Sequence, residues 1–205
     1  MLPARYLPVL GAALAGILQA GCATPKGADP SAGAAEGQLF AVPYEAGQGP
    51  LALAVFKERR ELVVLRDGMR EESFEIRLGS HPQGHKVARG DRRTPEGTYR
   101  VCQVKPSRFR SFLWLTYPNE RDALEALQEA RLTPDQYRRI MSALASGECP
   151  PPDTPLGGLV GIHGDYENPP RAYDWTEGCI ALTRNEDLLR LASVVRPGTP
   201  VVIYP

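Results

Sequence analysis

Apolar residues recur at every second position from residue 51 onward. Residues 51–55 alternate in this way, and residues 62–65 form an apolar run after a charged turn. Asp67-Gly68 favours a tight hairpin, after which residues 73–78 alternate once more. A period of two is typical of strands that bury one face. The segment therefore predicts an antiparallel meander, which limits the chain to a mostly β domain.

The rest of the chain predicts three helices and further strands. Thr133 predicts one helix start, because Pro134 suits the first helical position and Gln136 completes a capping box. The elements follow in the order strand 98–104, helix 120–130 with Asn119 as cap, helix 133–147, strand 159–162, helix 186–195 capped within 183–185, and strand 201–203. We therefore expect a mostly β domain with an inserted helical hairpin and one helix near the C-terminus.

The composition agrees with one strand-rich domain. The 205 residues include 20 glycines and 20 prolines, which favours many turns and disfavours a helical bundle. This length suits one domain of ordinary size with a tail. The 24 Lys and Arg residues are balanced by 24 Asp and Glu, so the chain lacks the basic field of a protein that binds nucleic acid.

Residues 1–22 predict an export signal. Arg5 precedes an apolar stretch over residues 6–20, which is shorter than the span of about 20 residues that a bilayer requires. The stretch ends at Gly21-Cys22 and resembles bacterial lipoprotein signals, in which small residues precede a cysteine that becomes lipidated. The alternative is an ordinary secretory signal that is cleaved nearby. We expect an exported, periplasmic protein that is tethered to the membrane through Cys22.

A linker is predicted to separate this signal from the folded domain. Residues 23–37 are mostly Ala, Gly, Pro and Ser, which bury too little apolar surface to offset the entropy of ordering. The predicted organisation is a signal over residues 1–22, a flexible linker over 23–49 and a domain over 50–205.

Cys179 and His163 are the candidate catalytic pair. His163 follows a predicted buried strand, and Cys179 lies between Gly178 and an apolar run. A free thiol has a pKa of about 8.5, so a nearby imidazole is needed to remove its proton at neutral pH. Glycine beside the cysteine lets a substrate carbonyl approach backbone N–H groups, as an oxyanion hole requires. Separation along the chain does not distinguish this pair from a structural cysteine and a buried histidine.

Three ordered sequence blocks surround this pair. One is His163-Gly164, followed after a gap by Thr176-Glu177-Gly178-Cys179. Another is Lys86 with GDRRTPEGTY at residues 90–99, and a third is PLGG at residues 155–158. Together they resemble the L,D-transpeptidase catalytic domain family (YkuD-like), which carries His-Gly, Ser/Thr-x-Gly-Cys and Gly-Asp-x-x-Thr-Pro-x-Gly-x-Tyr. The resemblance spans residues 51–205 and implies a β-sandwich or barrel-like fold.

This resemblance implies a cysteine acyltransferase that acts on peptidoglycan stem peptides. By analogy, Cys179 attacks the carbonyl of the third stem residue and expels D-alanine, and an amine or water resolves the thioester. His163 is the implied general base and then acid, the Gly178 and Cys179 amides hold the oxyanion, and Thr176 orients the turn. The residues expected to contact the substrate are Gly164, Trp175 and Glu177. No metal or cofactor is implied, and we expect a monomer.

Two positions depart from the common family pattern. Many members carry His at the position of Glu177 and Arg at that of Ala181. The missing arginine removes a cation able to bind a substrate carboxylate, and the charge of Glu177 is expected to raise the pKa of the adjacent thiol. The chain thus resembles a subgroup with a Trp-Thr-x-Gly-Cys-Ile-Ala motif. Two alternatives stay open: a carboxypeptidase- or amidase-like hydrolase that releases wall-linked peptides or lipoproteins, and a non-catalytic wall-binding lipoprotein.

Two cysteines and two aspartates outside the catalytic motifs are expected to have structural roles. In an oxidising compartment Cys102 and Cys149 are expected to form a disulfide that braces the helical insert and stabilises the fold by about 3–4 kcal/mol. Asp165 and Asp174 flank the predicted site, and we expect them to be solvated loop carboxylates.

Overall fold

A computed structural model describes residues 51–167 and 169–205. The strands within these ranges are β1 Leu51–Phe56, β2 Glu61–Arg66, β3 Met69–Arg77, β4 Gly97–Ser107, β5 Arg110–Leu115, β6 Gly161–His163, β7 Ile180–Leu182 and β8 Pro200–Tyr204. They close into a barrel in the order β1-β2-β3-β7-β6-β5-β4-β8. The β1–β8 and β6–β7 pairs are parallel, and the other pairs are antiparallel. The predicted mostly β, barrel-like architecture is confirmed.

The first three strands form the antiparallel meander that the sequence predicts. Asp67 and Gly68 have positive φ angles of 52° and 77°, which suit the two-residue turn between β2 and β3. Alternate residues such as Leu53, Val55 and Leu62 point into the barrel and join its apolar core. The period of two thus arises because one face of each strand is buried.

β5 and β7, which the periodicity did not predict, complete the sheet beneath the candidate site. Phe112 of β5 lies opposite His163 of β6, and His163 lies opposite Ala181 of β7. Lys105 of β4 lies opposite Phe112. These four residues form one row across four strands. Because Ile162 belongs to the core and neighbouring residues of a strand alternate, the row faces away from the core.

Two helices form the predicted insert, and a third follows β7. They are α1 Glu120–Gln128, α2 Pro134–Ala145 and α3 Asn185–Val194. Capping boxes are present at Asn119 and Thr133, so side-chain hydrogen bonds satisfy orphan amides at both helix starts. The cap of α3 is Arg184, which makes no side-chain capping bond. The predicted cap within residues 183–185 is therefore one of backbone position alone.

A disulfide joins Cys102 in β4 to Cys149, which follows α2, with the two Cα atoms 5.2 Å apart. It fastens the end of the helical insert to the barrel wall. The predicted signal over residues 1–22, Cys22 and the linker over 23–49 lie outside the described residues. Within the described part of the chain, no helix is long and apolar enough to cross a membrane.

Candidate active site

His163 ends β6 and is held as a neutral base. It is 3% exposed, and its Nδ1 lies 2.6 Å from the carbonyl oxygen of Gly164. Because a carbonyl oxygen only accepts hydrogen bonds, Nδ1 carries the proton of the neutral ring and Nε2 is unprotonated. Burial lowers the pKa of His163 below its usual value of 6.5, against smaller raising effects of the hydrogen bond to Gly164 and of the Asp165 charge. Nε2 is therefore able to accept a proton at neutral pH.

Cys179 is held as a neutral thiol. Its Sγ lies 3.5 Å from the carbonyl oxygen of Leu159, which accepts a hydrogen bond from it. Burial raises the pKa of the thiol to about 11, against smaller lowering effects of a hydrogen bond from the Gly161 main chain and of the Lys86 charge. A base must therefore remove the thiol proton during the attack, because little thiolate exists beforehand.

Thr176 fixes the turn that carries the nucleophile. Its hydroxyl donates to the Cys179 carbonyl at 2.7 Å and accepts from the Gly178 amide at 3.1 Å. Thr176 is itself 3% exposed, so both bonds are shielded from water. The predicted orienting role of Thr176 fits this geometry. The predicted oxyanion role of Gly178 does not, because its amide already donates to Thr176.

Gly178 is required for a steric reason instead. Its φ angle is 127°, in a region that side chains disfavour, and an added Cβ would lie 2.6 Å from the carbonyl oxygen of Arg93. Arg93 belongs to the GDRRTPEG block, which therefore contacts the nucleophile turn directly. The sequence alone could not predict this contact, because Gly178 and Arg93 are far apart along the chain.

The same block is fixed by Asp91. Its carboxylate accepts from Lys86 Nζ at 2.7 Å and from the amides of Val87, Ala88 and Arg93 at 2.8, 3.0 and 3.1 Å. Burial alone would raise the pKa of Asp91, but these hydrogen bonds lower it below its usual value. Asp91 thus stays ionised and holds rigid the chain segment that supports Gly178.

Cys179 and His163 line one cavity of about 470 Å³. Trp175 and Glu177, both predicted to contact substrate, also line it. Phe109 stacks on the His163 ring with centroids 4.3 Å apart, and Trp175 meets that ring edge-on at 5.6 Å. The structure thus brings the predicted pair and its neighbours into one concave, aromatic-walled site. Phe109 was missed because it lies on the β4–β5 hairpin, remote in sequence from every motif.

Glu177 has less influence on the thiol than its position in the sequence suggests. Its side chain is exposed, and Arg92 Nε lies 3.5 Å from its carboxylate. The raised pKa of Cys179 has burial as its cause, and Glu177 does not contribute to it. The expected charge effect is therefore corrected to a desolvation effect.

Gly164 has a structural role, while its predicted contact with substrate stays a prediction. It is buried, and an added Cβ would lie 2.2 Å from Asn185 Oδ1 and 3.2 Å from Leu188. Gly164 therefore lets α3 pack closely against the end of β6, while its carbonyl fixes the tautomer of His163.

Asp165 and Asp174 are bound within the protein and are not the solvated carboxylates that we expected. Asp165 is 3% exposed and accepts from Arg171 Nη1 at 2.5 Å, and the guanidinium of Arg171 lies 4.2 Å from the Trp175 ring centroid. Asp174 accepts from Arg60 Nη2 at 2.7 Å. These ion pairs hold the loop before Cys179 and keep Trp175 at the cavity wall.

The domain matches a known family over most of its length. Residues 51–203 match the L,D-transpeptidase catalytic domain family, YkuD. The chain belongs to this family. No curated protein sequence matches it significantly. The closed barrel of the domain is thus the catalytic domain of this family.

Solved structures share the fold of this L,D-transpeptidase domain. The helical cell shape determining protein Pgp2 from Campylobacter jejuni is 20% identical, with a TM-score of 0.52 over 82% of this chain and 54% of that protein. A point variant of Pgp2 gives 21% identity and a TM-score of 0.53, over 82% and 53%. Bd1075 of Bdellovibrio bacteriovorus is 19% identical, with a TM-score of 0.51 over 76% of this chain and 48% of that protein. The chain therefore spans about half the length of these relatives.

Proposed function

We propose that this protein is a cysteine-dependent L,D-transpeptidase that acts on peptidoglycan stem peptides, in cross-linking or remodelling of the cell wall. The observation that carries the proposal is one cavity lined by both Cys179 and His163, within a domain of this family. Similarity to the helical cell shape determining protein Pgp2 supports a role in the wall.

The first half-reaction forms a thioester. Nε2 of His163 takes the thiol proton while Sγ of Cys179 bonds to the carbonyl carbon of the third stem residue. The electron pair of the carbonyl moves to its oxygen, where the Cys179 amide is the proposed donor, since Thr176 occupies the amide of Gly178. The oxyanion then re-forms the carbonyl, the C–N bond breaks with its electron pair staying on nitrogen, and Nε2 gives the proton to the departing D-alanine.

The second half-reaction resolves the thioester. A primary amine of another stem peptide attacks the acyl carbon, and Nε2 of His163 takes a proton from it. The C–S bond breaks and the sulfur takes that proton, which restores the neutral thiol and completes a new amide. Water in place of the amine gives a free acid by the same proton transfers.

Hydrolysis is the second candidate. The departures at Glu177 and Ala181 favour it, because a position that carries arginine in many members here lacks a cation. Such an enzyme would release D-alanine, wall-linked peptides or lipoproteins. The non-catalytic alternative is a wall-binding lipoprotein, to which the raised pKa of Cys179 gives some support.

One experiment separates these functions. The full-length protein is incubated with a disaccharide-tetrapeptide, with and without an amine acceptor, and the products and the protein are weighed by mass spectrometry. A transpeptidase yields the dimeric amide, a hydrolase yields only the tripeptide acid, and a binding protein yields neither. Cys179→Ala should abolish either product, whereas Thr183→Ser, which leaves the cavity unchanged, should not.

Export and lipidation are part of the proposal. We propose that residues 1–22 direct export, that Cys22 is lipidated, and that residues 23–49 link a monomeric domain to a membrane facing the periplasm. In cell fractions, wild-type protein should sediment with membranes and Cys22→Ser should not. A soluble wild-type protein would contradict the tether.

A further inference from the structure

Unpartnered cations are concentrated beside the catalytic cavity. Among residues 51–167 and 169–205, most Lys and Arg side chains have an ion pair or a hydrogen bond to a carbonyl, as Lys57 and Arg171 do. Lys105, Arg108 and Arg110 have neither, although they lie within six residues at the tip of the β4–β5 hairpin. The segment over residues 105–110 carries no carboxylate of its own. We call residues 105–110 the basic hairpin.

Two of these cations border the cavity that holds the nucleophile. Lys105 and Arg108 line it together with Cys179 and His163. Glu177 is the only carboxylate among the described lining residues, and Arg92 faces it from 3.5 Å. Neither cation has an ion-pair partner in this cavity, although Arg108 also borders a neighbouring cavity whose lining includes Asp165 and Glu167.

Aromatic rings position both cations. Lys105 Nζ lies 4.6 Å from the ring centroid of Trp114 and 5.7 Å from that of Phe112. The guanidinium of Arg108 lies 4.8 Å from the ring centroid of Phe109, whose other contacts include the His163 ring at 4.3 Å. Stacking on a ring holds a cation in place and leaves its N–H groups available to an anion.

The row of residues across the sheet explains why this hairpin can bind a substrate carboxylate. Lys105, Phe112, His163 and Ala181 are in register on one face. Ala181 provides no cation on one side of His163, and Lys105 provides one on the other side, two strands away. A carboxylate near the scissile carbonyl would thus be bound from the hairpin side.

We infer that Lys105 and Arg108 form a carboxylate-binding subsite that selects stem peptides with a free carboxylate close to the scissile bond. This inference rests on the proposed function for the identity of the peptide, while the charge recognition stands on the cavity itself. Lys105 is the specificity-determining residue, since Arg108 also covers the ring that stacks on His163. Amidation of the carboxylate removes its charge and hence the partner of both cations.

Binding without turnover provides the test. The full chain with Cys179→Ala is titrated calorimetrically with a tetrapeptide stem that carries free carboxylates. The same titration is made with that peptide after its carboxylates have been converted to carboxamides. The acid should bind about tenfold more tightly. Adding Lys105→Gln should weaken binding of the acid about tenfold and leave the amide unchanged, whereas Lys105→Arg should retain most of the preference. Arg121→Gln, an exposed cation on α1, is the matched control and should change neither affinity.

Equal affinity for the two peptides, or an equal loss for both in Lys105→Gln, would overturn the inference. The result is independent of the chemistry. Charge-dependent binding without a thioester in the wild type would refute the transpeptidase proposal and leave the subsite. A thioester formed equally well from acid and amide, with equal affinities, would do the reverse.

Discussion

The turn that carries Cys179 and the basic hairpin that faces it satisfy their polar groups in opposite ways. In the turn, the Thr176 hydroxyl bonds to both Gly178 and Cys179, and Asp91 fixes the block below Gly178. In the hairpin, Lys105 and Arg108 rest on aromatic rings without a carboxylate partner. The difference indicates two separate roles: the turn holds the nucleophile in place, and the hairpin binds an anionic group of the substrate.

Gly178→Ala should lower activity most, because it distorts the turn that carries Cys179. The new Cβ would lie 2.6 Å from the Arg93 carbonyl at a φ of 127°, so the turn must shift. A displacement of about 1 Å at a catalytic centre costs on the order of 100-fold in rate, and strained backbone costs on the order of 1–3 kcal/mol in stability. We expect kcat/KM to fall about 100-fold with a lower Tm. Gly147→Ala, at the end of α2 with no atom near its Cβ, controls for loss of a positive-φ glycine.

Thr176→Val tests the hydrogen bonds of the same turn. It keeps the shape of the side chain but leaves the Gly178 amide and the Cys179 carbonyl without their partner. A buried unsatisfied group costs about 1–3 kcal/mol, so kcat/KM should fall about tenfold. Thr176→Ser keeps the hydroxyl and should retain most activity. Equal losses in both variants would show that packing, and not hydrogen bonding, sets the turn.

Phe109→Ala tests the hairpin side of the site through the pH dependence of kcat/KM. Burial lowers the pKa of His163, and the stacked Phe109 ring contributes to that burial. The neutral base is needed, so wild-type kcat/KM should be lost only as pH falls below about 6.5. Removing the ring exposes the imidazole, raises its pKa and moves this acid limb to higher pH, with a several-fold loss at pH 6. Phe109→Tyr should keep the wild-type profile, and an unshifted limb in Phe109→Ala would contradict the assignment.

Local signals in the sequence were enough for part of the fold. The meander followed from alternation and from Asp67-Gly68, and two helix starts followed from Asn119 and Thr133, because turns and caps depend on neighbours in the chain. β7 escaped prediction because its three residues, all buried, show no alternation. Its place in the barrel is set by pairing with β3 and β6, which are distant in sequence.

The same limit applies to the site. The motifs were enough to select Cys179 and His163, which the structure brings to one cavity. They gave no sign that Thr176 would occupy the Gly178 amide or that Gly164 would be buried against α3. Nor did they point to the basic hairpin, because only the fold shows which cations lack an ion-pair partner and lie beside a cavity.

Acylation of Cys179 is the most direct test of the central claim. Reactivity with an alkylating reagent is a weak test, because a pKa of about 11 makes the resting thiol slow at neutral pH in any case. Intact-protein mass spectrometry after rapid mixing with the tetrapeptide measures the acyl-enzyme itself. We expect an adduct of the acyl tripeptide on Cys179, with release of one D-alanine, and no adduct in Cys179→Ala. An unmodified protein that nevertheless converts the peptide, or an adduct on another residue, would contradict it.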